Sequence, residues 1–567
     1  MIRRSHLSNP AIVGLLIVVL LAARWIWVAG LGDYGWTYEV AARILKGEVY
    51  YKEFPLLYGP LSHYTLAAFM LLLGHHLFVF HLHLWVSYVL SLAAGLLLVR
   101  ELGASRSTQA MGISAAAVMA CPVFSWSHAF NYQAPFLAGA GLLCILYARR
   151  GRPHVWAAGA GAFAALCIYD KQNVGLAIAA LLPIFLPAGT AVYLSSFSAT
   201  FLLIFAYFAQ HAGAAEVWRQ LLIDPSSVKG GLLILAGRAV PRLIFAPHFP
   251  FRRWAELAAT GAVYAALLPV AIRMSRQCPA GIMKKNSSSA MGAACLIGTG
   301  AGVAISLAHI DTATAGKWHL YPWTFLLQLT YIFFSLLCAA YLVRGLEAVW
   351  AAAVWLILAV TAVQEASNPN FEYSAVLAMP LLCALLFRGK VTLKARTAGI
   401  ILAVVYLVGT TTVGPVSYYG LCAYLPTYSL PQQSPFAHLR APAPYVETVN
   451  EFWNEVRPLI KNRTTLWLVG GGGAYLAYGG LPVYNAPCYM PDTFPARWDQ
   501  RFIQSWQKDP PEFVILRDDF QASPKSSLLT AEYMKRNLLS EYTQAWRSRT
   551  QPQIALWRRS GRPKTGP

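Results

Sequence analysis

Thirteen apolar stretches recur along this chain, and no other feature constrains its fold as strongly. A segment in hydrocarbon has no water to satisfy its backbone, so each crossing must be a helix that closes its own hydrogen bonds; roughly 20 apolar residues suffice. The stretches fall at about 10–30, 77–99, 108–125, 134–148, 155–169, 174–187, 190–210, 254–272, 290–308, 319–343, 346–366, 374–387 and 397–415. With 57% hydrophobic and 12% charged residues, the composition excludes a string of soluble domains. The expected fold class is a polytopic α-helical membrane protein of about 13 transmembrane helices over residues 1–415, with a first outer loop at 31–76 and a small soluble α/β segment over 416–567.

Basic residues set the orientation, because short cytoplasmic loops hold most of the Lys and Arg. With Arg3 and Arg4 inside, the loops bearing Arg100 and Arg106, then Arg149, Arg150 and Arg152, then Arg273, Arg276, Lys284 and Lys285, then Arg344, then Arg388, Lys390, Lys394 and Arg396 also fall inside. The first segment reads as an uncleaved anchor, and the C-terminal segment lies outside the cytoplasmic membrane. The net charge of +21 is spread over these loops, which suits anionic lipid head groups and not nucleic acid. Acids sort the other way: Asp33, Glu39, Glu48, Glu53, Asp170, Glu216, Asp224, Asp311 and Glu372 face outward, whereas Glu101 and Glu347 lie inside. Either the outer face is functional or its longer loops hold more of everything.

The nine Cys show no metal spacing, and most lie in spans, where they pack. Cys422 and Cys488 both follow the last span, where a disulfide can form. In the first loop, Thr37 to Lys46 has helical periodicity, and Leu61 to Leu73 is apolar but short for a crossing; both are expected along the outer interface as amphipathic helices. If Leu61 to Leu73 spanned, the later basic loops would invert. Beyond a proline-rich linker, Tyr445 to Lys461 places Val446, Val449, Phe452, Val456 and Leu459 or Ile460 on one helical face. TTLWLVGGGG and PEFVILRDD read as strands, so helix and strand alternate in a small α/β module. The run Gly470 to Gly473 lacks the Lys and Ser or Thr of a nucleotide loop, and a bare turn is the plainer reading.

The first loop opens with Asp33 just before a helix reading YEVAARILKG, and then carries an aromatic, basic and acidic cluster before a proline, YYKEFPLLYGPL. In these residues the chain resembles the GT-C class of integral membrane glycosyltransferases. More narrowly it is similar to the protein O-mannosyltransferase and aminoarabinose transferase branch, which uses polyprenyl-phosphate sugars. A Lys after the fifth span, in YDKQNVG, and the late GKWHLYPW extend the resemblance over nearly the whole chain. It implies a GT-C-like fold, a polyprenyl-phosphate-sugar donor, and inverting transfer to a lipid, polysaccharide or protein acceptor on the outer face.

By that resemblance Asp33 is the general base for an acceptor hydroxyl or amine, a role that a carboxylate near the interface can perform. Asp33 is equally placed to cap the following helix, and one residue can do both. Lys52 and Glu53 match a basic and acidic pair: the Lys would stabilise departing phosphate charge, and Glu53 would orient the sugar or serve as a second carboxylate. A surface ion pair of little worth is the plainer alternative. The resemblance implies that Lys171 contacts the donor phosphate, while a simple pairing with Asp170 would also account for a Lys at membrane depth. Lys317, His319 and Tyr321 lie at an outer entrance suited to phosphate, flanked by Trp318 and Trp323 of an aromatic belt. His309, Asp311 and His319 match no metal pattern, so no metal site and no resident cofactor are assigned, although a divalent ion arriving with the donor remains compatible. Arg238, Arg242, Arg252 and Arg253 suit a phosphate head group or ordinary anionic lipid. One departure stands out. Many relatives place a second acid after the third span, where this chain has Asn131 and Gln133 in SHAFNYQAPF. The competing classes are a lipid or small-molecule transporter, expected to show repeats and broken charged helices, and a noncatalytic scaffold.

Overall fold

The computed structural model describes residues 34–54, 56–101, 103–119, 129–148, 150–186, 188–225, 376–377, 380–381, 427–432, 434–469, 474–483, 497–521 and 529–560. Asp33, Lys317, His319, Tyr321, the Arg238 to Arg253 cluster, the glycine run, and Cys422 with Cys488 lie outside the described residues. The first helices are α1 (Tyr34–Leu45), α2 (Leu61–Leu73), α3 (Leu77–Glu101), α4 (Arg106–Met119), α5 (Phe130–Ala148), α6 (Pro153–Asp170), α7 (Gln172–Leu181) and α8 (Thr190–Ala212). Among the described residues α3, with 25 residues, and α8, with 23, are long and apolar enough to cross a bilayer.

The chain divides into two compact units, one of residues 1–22, 86–203 and 229–421, the other of 23–85, 204–228 and 422–567. In the first, α5 and α6 bury small and apolar side chains such as Ala138, Leu142, Ala160 and Ala164. Close approach is what the small residues supply. A Cβ at Gly161 would lie 2.3 Å from the Tyr193 carbonyl oxygen, so α6 and α8 touch through backbone there. The stretch 174–187 is not one crossing helix. Its helix α7 has ten residues and gives way to a 3-10 turn, Leu182–Phe185, that contains Pro183. Proline lacks the N–H that an α-helix needs, and ten residues rise only about 15 Å, half the hydrocarbon thickness.

Helix α7 instead folds back on α6. Lys171, extended at φ −138° and ψ 98°, is the sole joint between them. A Cβ on Gly175 would sit 2.2 Å from the Ile168 backbone nitrogen, although residues seven apart in a straight helix are separated by about 10 Å. Only a reversal at Lys171 brings them together.

In the second unit α1 departs from expectation. It is helical as read, but every residue from Trp36 to Ala42 is buried, and so is Arg43, so no face of it is left for the interface. Helix α2 does keep two faces: Ser62, His63, Leu66, Ala67 and Met70 turn inward, while Leu71 and Leu72 are 73% and 80% exposed. With Leu73 at 46%, three adjacent leucines are exposed, a patch that an apolar surrounding would cover.

The C-terminal part of this unit begins with a short antiparallel pair, β1 (Thr427–Ser429) and β2 (Arg440–Pro442), followed by α9 (Ala443–Glu451). Helix α9 runs on through a π turn, Phe452–Val456, into Arg457–Ile460. Val449, Phe452, Val456 and Ile460 are buried while Leu459 is exposed, which settles the last position of the apolar face. Four strands, β3 (Thr465–Leu468), β4 (Phe513–Arg517), β5 (Tyr542–Arg547) and β6 (Ile554–Arg559), form a sheet in the order β3-β4-β6-β5. The β3 and β4 strands are parallel, with Thr465 opposite Phe513, and the crossover between them carries α10 (Trp498–Lys508). Phe513 and Ile515 pack with α9, whereas Val514 and Leu516 pack with Trp498, Phe502 and Trp506 of α10. An unbroken apolar run thus makes a strand buried on both faces. Glu451, buried at the end of α9, accepts hydrogen bonds from Ser548, Thr550 and the Arg549 and Thr550 amides, fastening the β5–β6 hairpin to the helix.

Gly175→Ala should therefore cost about 3 kcal/mol, the upper range of overpacking, because the obstruction is backbone and cannot swing away. A fall in the thermal unfolding midpoint of detergent-solubilised protein measures it, and an unchanged midpoint would contradict the fold-back.

Candidate functional site

The sequence EVYYKEF makes a turn because its aromatic residues are pulled inward on either side of Lys52. Tyr50, Tyr51 and Phe54 are fully buried, and the Lys52 and Glu53 amides both donate to the Val49 carbonyl. Tyr51 takes φ 66°, a left-handed conformation that costs a side-chain-bearing residue roughly 1–2 kcal/mol. Burial of its ring edge-on to Phe208, with centroids 5.1 Å apart, offsets this. The kink leaves the Lys52 side chain 54% exposed and its Nζ 3.3 Å from Glu53 Oε1, with Glu53 14% exposed. His63 packs at a tilt against the rings of Trp36 and Tyr50, and burial pushes its pKa down to about 3, so it is neutral.

Two residues from distant segments hold this turn by its carbonyls. Gln220 Nε2 donates to the Tyr51 oxygen at 2.7 Å, and an Arg501 NH2 donates to the Lys52 oxygen at 2.8 Å. Gln220 lies in a π turn, Arg219–Ile223, and Arg501 lies on α10. Next to them Arg497 at the start of α10 binds Asp224 through Nε and NH2, with its shortest contact 2.7 Å, and Glu216 through NH1 and NH2 at 3.3 and 2.8 Å. Fork geometry makes such double contacts among the stronger ion pairs.

The outward acids mostly have structural partners. Arg43, 1% exposed, lies over the Phe54 ring, donates from Nε to Glu48 Oε2 at 2.8 Å, and reaches Glu39 at 3.5 Å. Glu39 and Glu48 neutralise this buried guanidinium, as Glu216 and Asp224 neutralise Arg497. The i, i+4 spacing of Glu39 and Arg43 on one helix is the signal that could have found this pair. Arg497, Arg501 and Gln220 carry no such signal, since their partners are far along the chain. His83 bonds Thr65 Oγ1 at 3.0 Å, and His76 stacks on Phe78.

In the other unit Lys171 is buried at the joint between α6 and α7. Its Nζ donates to Asn131 Oδ1 at 3.0 Å and lies 5.9 Å from the Phe130 ring centre. The break places the ammonium against the first turn of α5, so the segment containing Asn131 and Gln133 is part of the same cluster. Gln133 Nε2 contacts Ser87 Oγ at 3.4 Å. Asp170 is fully buried, and neither carboxylate oxygen makes a hydrogen bond. Lys171 is thus hydrogen-bonded to the neutral amide of Asn131, with the buried Asp170 next to it in the chain. Among the described residues no group of three or more His, Cys, Asp and Glu is arranged to hold a metal ion.

No protein-family model matches the chain, and no curated protein matches it. Among solved structures, the crystal structure of ArnT from Cupriavidus metallidurans bound to undecaprenyl phosphate is similar at 13% identity and a TM-score of 0.43, with 97% of each chain covered. A likeness that remote carries no argument about activity, and the functional reading stands on this chain's own residues.

Burial pushes the Glu216 carboxyl up, but hydrogen bonds from Arg497 and Gln220 and the charges of Arg497 and Arg501 together hold it below the usual carboxylate range. A depressed pKa stabilises the fold above the unfolded value of about 4.3, and that stability is lost as pH falls through the folded value. Unfolding midpoints of the wild type should therefore drop below about pH 4. Arg497→Gln should be less stable at pH 7 and lose less on acidification. Parallel pH profiles for the two proteins would show the clasp to be inert.

Proposed function

We propose that this chain is a multi-pass glycosyltransferase of the cytoplasmic membrane, with its N-terminus cytoplasmic and its C-terminal segment on the outer side. It takes a sugar from a polyprenyl-phosphate donor and places it on a lipid, polysaccharide or protein acceptor. The observation that supports the reading best is the Lys52–Glu53 pair: a half-exposed cation beside a mostly covered carboxylate, on a left-handed turn clamped by both neighbouring carbonyls. A phosphate needs the cation and a sugar hydroxyl needs the acceptor oxygen, and a rigid backbone is what positions both.

In the proposed reaction Asp33 accepts the proton of an acceptor hydroxyl or amine as that atom bonds to the anomeric carbon. The bond from that carbon to the phosphate oxygen breaks on the opposite face, inverting the centre, and the electron pair leaves with polyprenyl phosphate. Lys52 and Lys171 stabilise the departing charge, with Lys317, His319 and Tyr321 assigned to the donor phosphate at the outer entrance. Glu53 orients the sugar. No resident metal or cofactor is assigned, and a divalent ion arriving with the donor is compatible with the scheme.

One observation favours a transporter instead: a helix interrupted within an apolar segment by adjacent Asp170 and Lys171, the kind of break that ion and substrate sites use. Radiolabelled sugar transfer from a polyprenyl-phosphate donor pool, in membranes matched for expression, separates the two. Asp33→Asn should lower transfer about 100-fold or more, the usual worth of a general base. Wild-type transfer by Asp33→Asn would remove that residue from the chemistry. Failure with every donor, together with protein-dependent movement of donor lipid across proteoliposomes, would replace the enzyme with the transporter.

A further inference from the structure

The turn that carries Lys52 and Glu53 is held only in part by its own segment. Two of its amides, of Lys52 and Glu53, donate to the Val49 carbonyl, and the carbonyls of Tyr51 and Lys52 accept from side chains far along the chain. Both are taken by side chains from elsewhere in the same compact unit: Gln220, 169 residues on from Tyr51, and Arg501, 449 residues on from Lys52.

These anchors are themselves fixed. Gln220 is fully buried, and its amide also donates to Glu216 Oε1 at 2.7 Å, which ties it to the Arg497 clasp. Arg501 stacks over the Trp498 ring at 4.1 Å, and Trp498 with Phe502 and Trp506 is buried against the Val514 and Leu516 face of the sheet. The position of the Arg501 guanidinium is thus set by the packing of α10 on the sheet. Its field is felt at the site too: burial pulls the guanidinium pKa down, and the Glu216 and Glu53 carboxylates oppose that pull.

We propose that Arg501 and Gln220 are positioning residues for the Lys52–Glu53 pair, so that the C-terminal segment, through α10, sets the geometry of a donor site carried by the first loop. This rests on the reading of Lys52 and Glu53 as donor-site residues. Neither anchor touches the donor; each acts through a backbone oxygen of the turn. Without them the left-handed Tyr51 loses the contacts that over-determine it and relaxes, moving the ammonium and the carboxylate together.

The test uses the full-length protein in nanodiscs, with two readouts. Hydrogen exchange at the Lys52 and Glu53 amides reports the turn itself, and transfer kinetics with a radiolabelled polyprenyl-phosphate sugar report its use. Arg501→Gln should raise exchange at those amides about tenfold and lower kcat about tenfold or more, in line with the sensitivity of rate to small misplacements. Arg501→Lys, which can still donate to the Lys52 carbonyl, should recover much of both. Arg536→Gln, a surface change at an exposed ion pair, should alter neither. Unchanged exchange in Arg501→Gln and in Gln220→Ala overturns the anchoring. Raised exchange with wild-type kcat, in a protein where Lys52→Ala abolishes transfer, overturns the positioning role alone. Wild-type transfer by Lys52→Ala would overturn the donor-site reading and the catalytic half of the proposal with it, while the exchange data would still judge the anchoring.

Discussion

A guanidinium removed from water must bring its counter-charge, and in this chain that requirement organises the outer-loop unit. Arg43 takes Glu39 and Glu48 from its own loop, so a short stretch of sequence becomes a self-neutralised block. Arg497 takes Glu216 and Asp224 from the segment after α8, and so couples the start of α10 to residues more than 270 positions earlier. A buried pair such as Arg43 with Glu39 adds little net stability by itself, but loss of one partner strands the other and is heavily penalised; the Arg497 side chain keeps 31% of its surface exposed, so its pairs are penalised less. The value of such pairs is therefore in register, since they permit one arrangement of the segments and make the alternatives costly.

The same logic reinterprets the outward bias of the acids. Most of the described carboxylates among those acids answer a specific Arg or Lys, so their clustering records ion pairing. Asp170 differs in having no hydrogen bond at either oxygen while fully buried. Its neighbour Lys171 donates to the side-chain oxygen of Asn131. The chain has thus placed a carboxylate and an amide near one ammonium, and given the hydrogen bond to the amide.

Local periodicity made the elements legible. The helices over Tyr34–Leu45 and Leu61–Leu73, the apolar face of α9, and the strands at Thr465 and Phe513 could each be read from residues within one or two turns or pleats. Position was not legible. That α1 is enclosed on all sides, that α10 bridges the parallel strands, and that Gln220 and Arg501 converge on neighbouring carbonyls depend on contacts across hundreds of residues, to which a periodic pattern is blind. Lys52 could be marked as a candidate from its neighbours in YYKEF, but what fixes its backbone lies in segments of ordinary polar composition. The break at Lys171 was half visible: the charge in an apolar run could be seen, while the fold-back needed Gly175 to be recognised as a contact and not as filler.

That fold-back bears on how the chain enters the bilayer. A ten-residue apolar helix is too short to be partitioned as an independent crossing, so α7 cannot be inserted on its own merits. With α6 it makes a hairpin whose tip is Lys171 and whose backbones touch at Ile168 and Gly175. The two helices are therefore one packed unit, and a change in the length of the segment between Cys167 and Gly175 would separate the backbones that now touch.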